Sequence, residues 1–255
     1  MTASRKVLVV ADPVETAAKL IQESAADAIA NRGRFIIALS GGSTPLKLFV
    51  RLTEAPYRET IDWSRVYFLW GDERSVPPDH PESNYRMAHE ALLGPLAIAP
   101  SQILRMEAER EDLAAAANEY DQKLRTLLQE GDSDGRIDLV LLGMGADGHT
   151  ASLFPHTAAL NEQANWAAAN NVPQLKTRRM TLTYPVIAAA RRVLFLATGR
   201  EKAETLKEVL EGPLDPSRLP SQIAASRQGE TFWIIDEEAG ANLIQNGAIW
   251  TARSE

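Results

Sequence analysis

Six short, nearly uninterrupted apolar runs constrain the fold of this chain more than anything else in its sequence. They are Val7 to Val10, Phe35 to Leu39, Val66 to Trp70, Ile137 to Leu142, Val193 to Ala197 and Phe232 to Ile235. A strand with one wet face alternates apolar and polar residues. A continuous run needs cover on both faces, as in a parallel sheet sandwiched by helices. Helical stripes lie between the runs: Val14, Ala17, Ala18, Ile21, Ala25, Ala28 and Ile29 in one, and Leu113, Ala117, Tyr120, Leu124, Leu127 and Leu128 in another. The predicted class is α/β, a three-layer α/β/α architecture with a mainly parallel, Rossmann-like sheet. No repeat interrupts the pattern, and the proline-rich stretch Gly212 to Pro220 reads as a loop, so residues 1–255 are expected to form a single domain. Disorder is expected only at Met1 to Arg5 and after Thr251.

A hydrophobic fraction of 45% over 255 residues is enough for a sizeable core. The net charge of −7 argues against nucleic acid or an anionic membrane as a partner, since either needs a basic face. It also requires an anionic ligand to be met by a local cluster of cations. The absence of cysteine removes disulfides, thiolate catalysis and Cys-based zinc sites. No run approaches the ~18 apolar residues of a membrane span. The opening MTASRKVLVVADP lacks the apolar core of a signal peptide, and a cytoplasmic location is expected.

In a sheet of this kind, ligands bind outside the carboxyl ends of the strands, and four loops there carry chemistry. Leu39-Ser40-Gly41-Gly42-Ser43-Thr44-Pro45 offers a sharp turn, with Ser43 or Thr44 capping a helix that has Pro45 first. Free backbone N–H groups at a positive helix end would cradle phosphate; an ordinary tight strand–helix turn is the other reading. Trp70-Gly71-Asp72-Glu73-Arg74 crowds three charges onto a strand end and runs on through His80, Asn84, Tyr85 and Arg86. Either a ligand or an internal ion pair would account for them. Gly143 to Gly148 formally matches G-x-G-x-x-G, but Pro155 cuts short any helix and Gln163 to Asn170 holds no acid for a ribose, so a dinucleotide is excluded. What remains in that loop is Asp147 two residues before His149, a carboxylate able to fix the tautomer of a general base. Finally, Arg178-Arg179 precede Met180, and Lys202 falls in the first turn of a helix running through Leu206 and Leu210. The macrodipole disfavours a cation there, and a bound anion would repair the conflict; pairing with Glu201 or Glu204 is the alternative. His80, His89 and His156 make no metal set, and no metal is assigned.

At these residues the chain resembles the 6-phosphogluconolactonase family, a close relative of glucosamine-6-phosphate deaminase. The resemblance rests on LSGGSTP, WGDERSVPPDHPESNYRM, LVLLGMGADGHTASLFP, RMTLTYPVI and TGREKAETL, in family order from residue 39 to 206. It implies hydrolysis of 6-phospho-D-glucono-1,5-lactone to 6-phospho-D-gluconate, in the oxidative branch of the pentose phosphate pathway, with no cofactor. His149 would be the general base, supported by Asp147. Gly41, Gly42, Ser43, Thr44, Gly145, Arg179 and Lys202 would bind the substrate, with the phosphate on the loop, Arg179 and Lys202. Asp72 and Arg74 would face the ring and the developing carboxylate. The partner implied is a small phosphorylated sugar lactone, and the protein is expected to be a monomer, with a weak homo-oligomer as the alternative. In the related deaminases the loop continues H-I-A-F-N-E-P, whereas here Leu153 and Phe154 stand where Asn and Glu would fall, so the acid that assists ring opening is missing. A non-catalytic sugar-phosphate sensor would call for a helix-turn-helix and a basic arm. The stretch Asn170 to Arg178 departs from the Lys-Pro-Pro run expected of the family, and the position of Thr181-Leu182-Thr183 favours Arg179 over Arg178 for the phosphate.

Overall fold

The computed structural model describes residues 4–130 and 134–244, and each of the six apolar runs falls on a strand of one parallel sheet. In chain order the strands are β1 (Ser4–Val9), β2 (Phe35–Leu39), β3 (Val66–Trp70), β4 (Asp72–Arg74), β5 (Leu139–Leu142), β6 (Ala167–Val172), β7 (Thr177–Leu182), β8 (Arg192–Ala197) and β9 (Glu230–Ile235). The helices are α1 (Pro13–Arg32), α2 (Ser43–Leu52), α3 (Tyr57–Thr60), α4 (Asn84–Ala88), α5 (Leu113–Gln129), α6 (Tyr184–Ala189) and α7 (Ala203–Glu211). The main sheet runs β1-β9-β8-β5-β2-β3, parallel at every pairing. Every residue of β2 and β5 is buried, so both faces of the sheet centre are covered.

Local signals set the helix ends. Asp12 accepts from the Glu15 N–H at the start of α1, Gly33 ends it in the left-handed conformation (φ 77°), and Asp112 accepts from the Ala115 N–H to open α5. Crossovers β1–α1–β2 and β2–α2–β3 advance in one direction across the sheet, and those through α5, α6 and α7 return in the other. With right-handed connections, α1 and α2 cover one face and α5, α6 and α7 the other. The direction reverses between neighbours β2 and β5, which marks the place where a crevice opens at the carboxyl ends.

Two expectations need correction. Ser4 and Arg5 are ordered: they pair with Glu230 and Thr231 of β9, and the Ser4 N–H donates to Gly229. Met1 to Ala3 and the tail after Thr251 lie outside the described residues. A second, antiparallel sheet, β4-β7-β6, was not anticipated from the sequence. It continues from the end of β3 and is tied to it by the Leu182 N–H donating to the Gly71 carbonyl at 2.7 Å. This small sheet builds one wall above the crevice.

Candidate active site

At the end of β2 the chain turns on two glycines for two different reasons. A Cβ on Gly41 would stand 2.0 Å from Asn84 Oδ1, so only glycine lets the loop pass under that buried amide. Gly42 adopts φ 109°, a region that side chains avoid. Because Gly42 makes the turn, the helix begins at once: Ser43 is already its first residue, Gly42 is the N-cap, and Pro45 is third. The expected side-chain cap from Ser43 or Thr44 is therefore absent. Ser43 points to solvent, and Thr44 Oγ1 bonds Thr198 Oγ1 at 2.8 Å, joining the β2 and β8 loops. The first N–H groups of α2 have no side-chain acceptor at the cap.

The three charges of β4 divide. Glu73 turns inward as a structural acceptor: its carboxylate takes the N–H groups of Arg74, Asn84 and Tyr85 and the Ser83 hydroxyl. Burial pushes its pKa up, against those backbone N–H donors. Asp72 lines the crevice although only 8% of it is exposed. Its Oδ2 accepts from Ser152 Oγ at 2.6 Å, and its carbonyl accepts from Asn84 Nδ2 at 2.9 Å. Arg74 also lines the crevice and spends one donor on the Glu82 carbonyl.

The loop after β5 holds the dyad. His149 Nδ1 lies 2.5 Å from Asp147 Oδ1, which also accepts the His149 N–H at 3.1 Å. With Nδ1 protonated toward the carboxylate, Nε2 is the nitrogen left with a lone pair. Burial works to raise the Asp147 pKa, but the hydrogen bond and charge of His149 hold it below the usual carboxylate value. Gly145 is obligatory here, because a Cβ would stand 2.1 Å from His149 Nδ1 and 2.6 Å from Asp147 Oδ1. Phe154 stacks on the imidazole with centroids 4.0 Å apart. Between them, Ala151 takes the left-handed conformation (φ 47°), a cost that native contacts must offset. That turn puts Ser152 against Asp72.

Arg179, half-buried on β7, bonds Thr177 Oγ1 at 2.7 Å and the Arg178 carbonyl. No carboxylate among the described residues lies within ion-pair distance of Arg179 or Lys202. Burial lowers the Arg179 pKa and Arg74 adds to that shift, while the more distant charges of Asp72, Glu82 and Glu73 oppose it without cancelling it. Lys202 ends a short 3₁₀ turn, Arg200–Lys202, and precedes α7 rather than sitting inside it. Arg178 is exposed and donates to the Glu111 carbonyl, away from the crevice.

Together these loops enclose a cavity of about 350 Å³ lined by Gly41, Gly42, Asp72, Arg74, Gly145, His149, Arg179 and Lys202 of the predicted set. Ser43, Thr44 and Asp147 of that set are not among its lining residues, and Ser43 and Asp147 are exposed to solvent. The sequence reading missed Ser40, Gly143, Met144, Ala151, Ser152, Phe154 and Leu175 as lining residues, and Asn84 as the brace between Gly41 and Asp72. Ser152 and Asn84 had a signal of sorts, being small polar residues inside the most specific motifs. Leu175 had none. Among the described residues no helix is long and apolar enough to cross a membrane.

The model of the glucosamine-6-phosphate isomerases/6-phosphogluconolactonase family matches residues 10–233. The chain is 40% identical to the 6-phosphogluconolactonase of a Synechocystis strain over 90% of this chain and 93% of that one. It is 38% identical to that of Aggregatibacter actinomycetemcomitans over 81% and 87%. Among solved structures, the 6-phosphogluconolactonase of Trypanosoma cruzi matches with a TM-score of 0.81 and 33% identity, covering 95% of this chain and 98% of that one.

Proposed function

The chain belongs to the glucosamine-6-phosphate isomerase/6-phosphogluconolactonase family, and from that premise we propose that it is a hydrolase opening 6-phospho-D-glucono-1,5-lactone to 6-phospho-D-gluconate. The observation that carries this choice is the His149–Asp147 dyad on a cavity that also holds Arg179 and Lys202, neither with a carboxylate at ion-pair distance among the described residues. His149 Nε2 takes a proton from water as the water oxygen attacks the lactone carbonyl carbon. The tetrahedral oxyanion collapses, the ring C–O bond breaks, and the imidazolium returns the proton to the departing C5 oxygen. Asp147 holds the tautomer and steadies the imidazolium. Arg74 keeps donors free for the developing carboxylate, and Asp72 accepts from a ring hydroxyl. The phosphate rests on Arg179, Lys202 and the free N–H groups that open α2. Each atom is accounted for without a cofactor or metal. The proposal extends to a monomer acting in the cytoplasm, in the oxidative branch of the pentose phosphate pathway.

The family description also covers isomerases, whose ring opening calls for an acid beside the histidine. Here that position is Phe154, stacked on His149 and unable to give or take a proton. Hydrolysis needs only the base. The test follows disappearance of lactone generated in situ. His149→Ala is expected to lower kcat by at least ~10²-fold, and a near-normal rate in that variant overturns the assignment. A wild-type protein that binds sugar phosphate but is inert toward the lactone leaves only a sensor.

A further inference from the structure

The hairpin between β6 and β7 carries its tip to the cavity. Val172 pairs with Thr177, Pro173–Leu175 form a single 3₁₀ turn, and Lys176 closes it in the left-handed conformation at φ 51°. The tip is held from two sides. Gln174 Nε2 donates to the Pro155 carbonyl at 2.9 Å, next to the residue that stacks on His149. Arg179 donates to Thr177 Oγ1 at 2.7 Å on the returning strand. Leu175 is thus carried on a fixed support.

Its exposure is out of keeping with that support. Of the cavity's larger apolar side chains, Met144 and Phe154 are each 5% exposed and already packed in the protein, whereas Leu175 is 53% exposed. Every other large group on the wall is polar or charged. A phosphorylated sugar lactone carries hydroxyls at its edge and C–H bonds on its ring faces. The charged wall serves the edge and the phosphate, and apart from the small methyl of the partly exposed Ala151 nothing else on the wall offers free apolar area to the ring face.

We propose that Leu175 is a substrate-binding residue that covers the C–H face of the lactone ring. This rests on the lactonase reading above. Removing the isobutyl group loses apolar contact in the bound state only, so it weakens binding without touching the chemistry or the fold.

The test is steady-state lactonase kinetics on Leu175→Ala and Leu175→Asp, with inorganic phosphate as a competitive inhibitor and thermal unfolding alongside. KM is expected to rise ~5-fold for alanine and ~20-fold for aspartate, with kcat within about 2-fold and Leu175→Met near wild type. The inhibition constant of phosphate and the unfolding midpoint should hold steady, because Arg179, Lys202 and the core are untouched. If both variants keep a normal KM, the ring contact is wrong and the lactonase reading stands. If phosphate inhibition weakens in step with KM, the effect runs through Arg179 and the proposal falls. An inert wild-type protein sinks both.

Discussion

The two ends of the main sheet carry similar charged residues and use them in opposite ways. At the amino ends, Asp138 accepts the Ile36 N–H and pairs with Arg32 at 3.0 Å and Arg191 at 3.5 Å. There too Glu230 pairs with Lys6 at 2.7 Å and Arg192 at 3.3 Å. Each cation has its carboxylate. At the carboxyl ends, Arg74, Arg179 and Lys202 have no carboxylate within ion-pair distance among the described residues, and the dyad leaves His149 Nε2 open. Charge at one end is neutralised within the fold, and at the other it faces the cavity without a carboxylate, which suits the proposed anionic substrate. The difference separates stability from function by some 15–20 Å, the length of a strand.

That separation can be broken by mutation at either end. The largest effect is expected from Asp138→Ala. It leaves Arg32 with only Asp27, at 3.6 Å, among the described residues and strands the buried Ile36 N–H, and should cost about 3–5 kcal/mol in denaturant unfolding. Activity per folded molecule should stay unchanged. Arg179→Ala and Lys202→Ala are expected to do the reverse. Each should raise KM by at least ~10-fold, the worth of a charge-assisted contact, while the unfolding midpoint moves by no more than about 2 °C. A loss of stability from Arg179→Ala matching that of Asp138→Ala would erase the distinction between the ends.

How much of this was legible in the sequence follows from the same physics. The parallel sheet was readable because a strand covered on both faces must be apolar throughout, and Phe35–Leu39 and Val66–Trp70 were bounded to the residue. The antiparallel sheet was not. β4 is Asp72-Glu73-Arg74 and β6 is Ala167–Val172 with two asparagines, sequences whose strand character comes from their partners. Glycine-rich loops at strand ends announced the site, but not the division of labour within it. Adjacent Asp72 and Glu73 point to opposite faces of a strand, and only the fold says which face is the crevice. The helix cap at Ser43 was misplaced because the positive φ of Gly42 starts the helix one residue earlier than a serine cap allows.

Two carboxylates at the carboxyl ends of the strands, Glu73 and Asp147, supply the smallest and sharpest test. Burial raises the folded pKa of Glu73, so its contribution to stability is fullest below the unfolded value and declines as pH rises through the folded one. Asp147 has the opposite sign. Burial works to raise it, but His149 outweighs burial and leaves the folded pKa depressed. Its contribution is present above the unfolded value, near 3.9, and is lost as pH falls through the folded one. The Asp147 side chain is 51% exposed, so solvent screens the pair and the effect should stay below about 0.5 kcal/mol. Wild type is therefore expected to exceed Asp147→Asn in stability by that small margin at pH 7, with the gap closing as pH falls below the unfolded value and the carboxyl protonates. Paired denaturant titrations at pH 7 and pH 3 measure it. A gap that widens on acidification would mean that His149 does not hold Asp147 ionised, and the dyad would lose its charged partner.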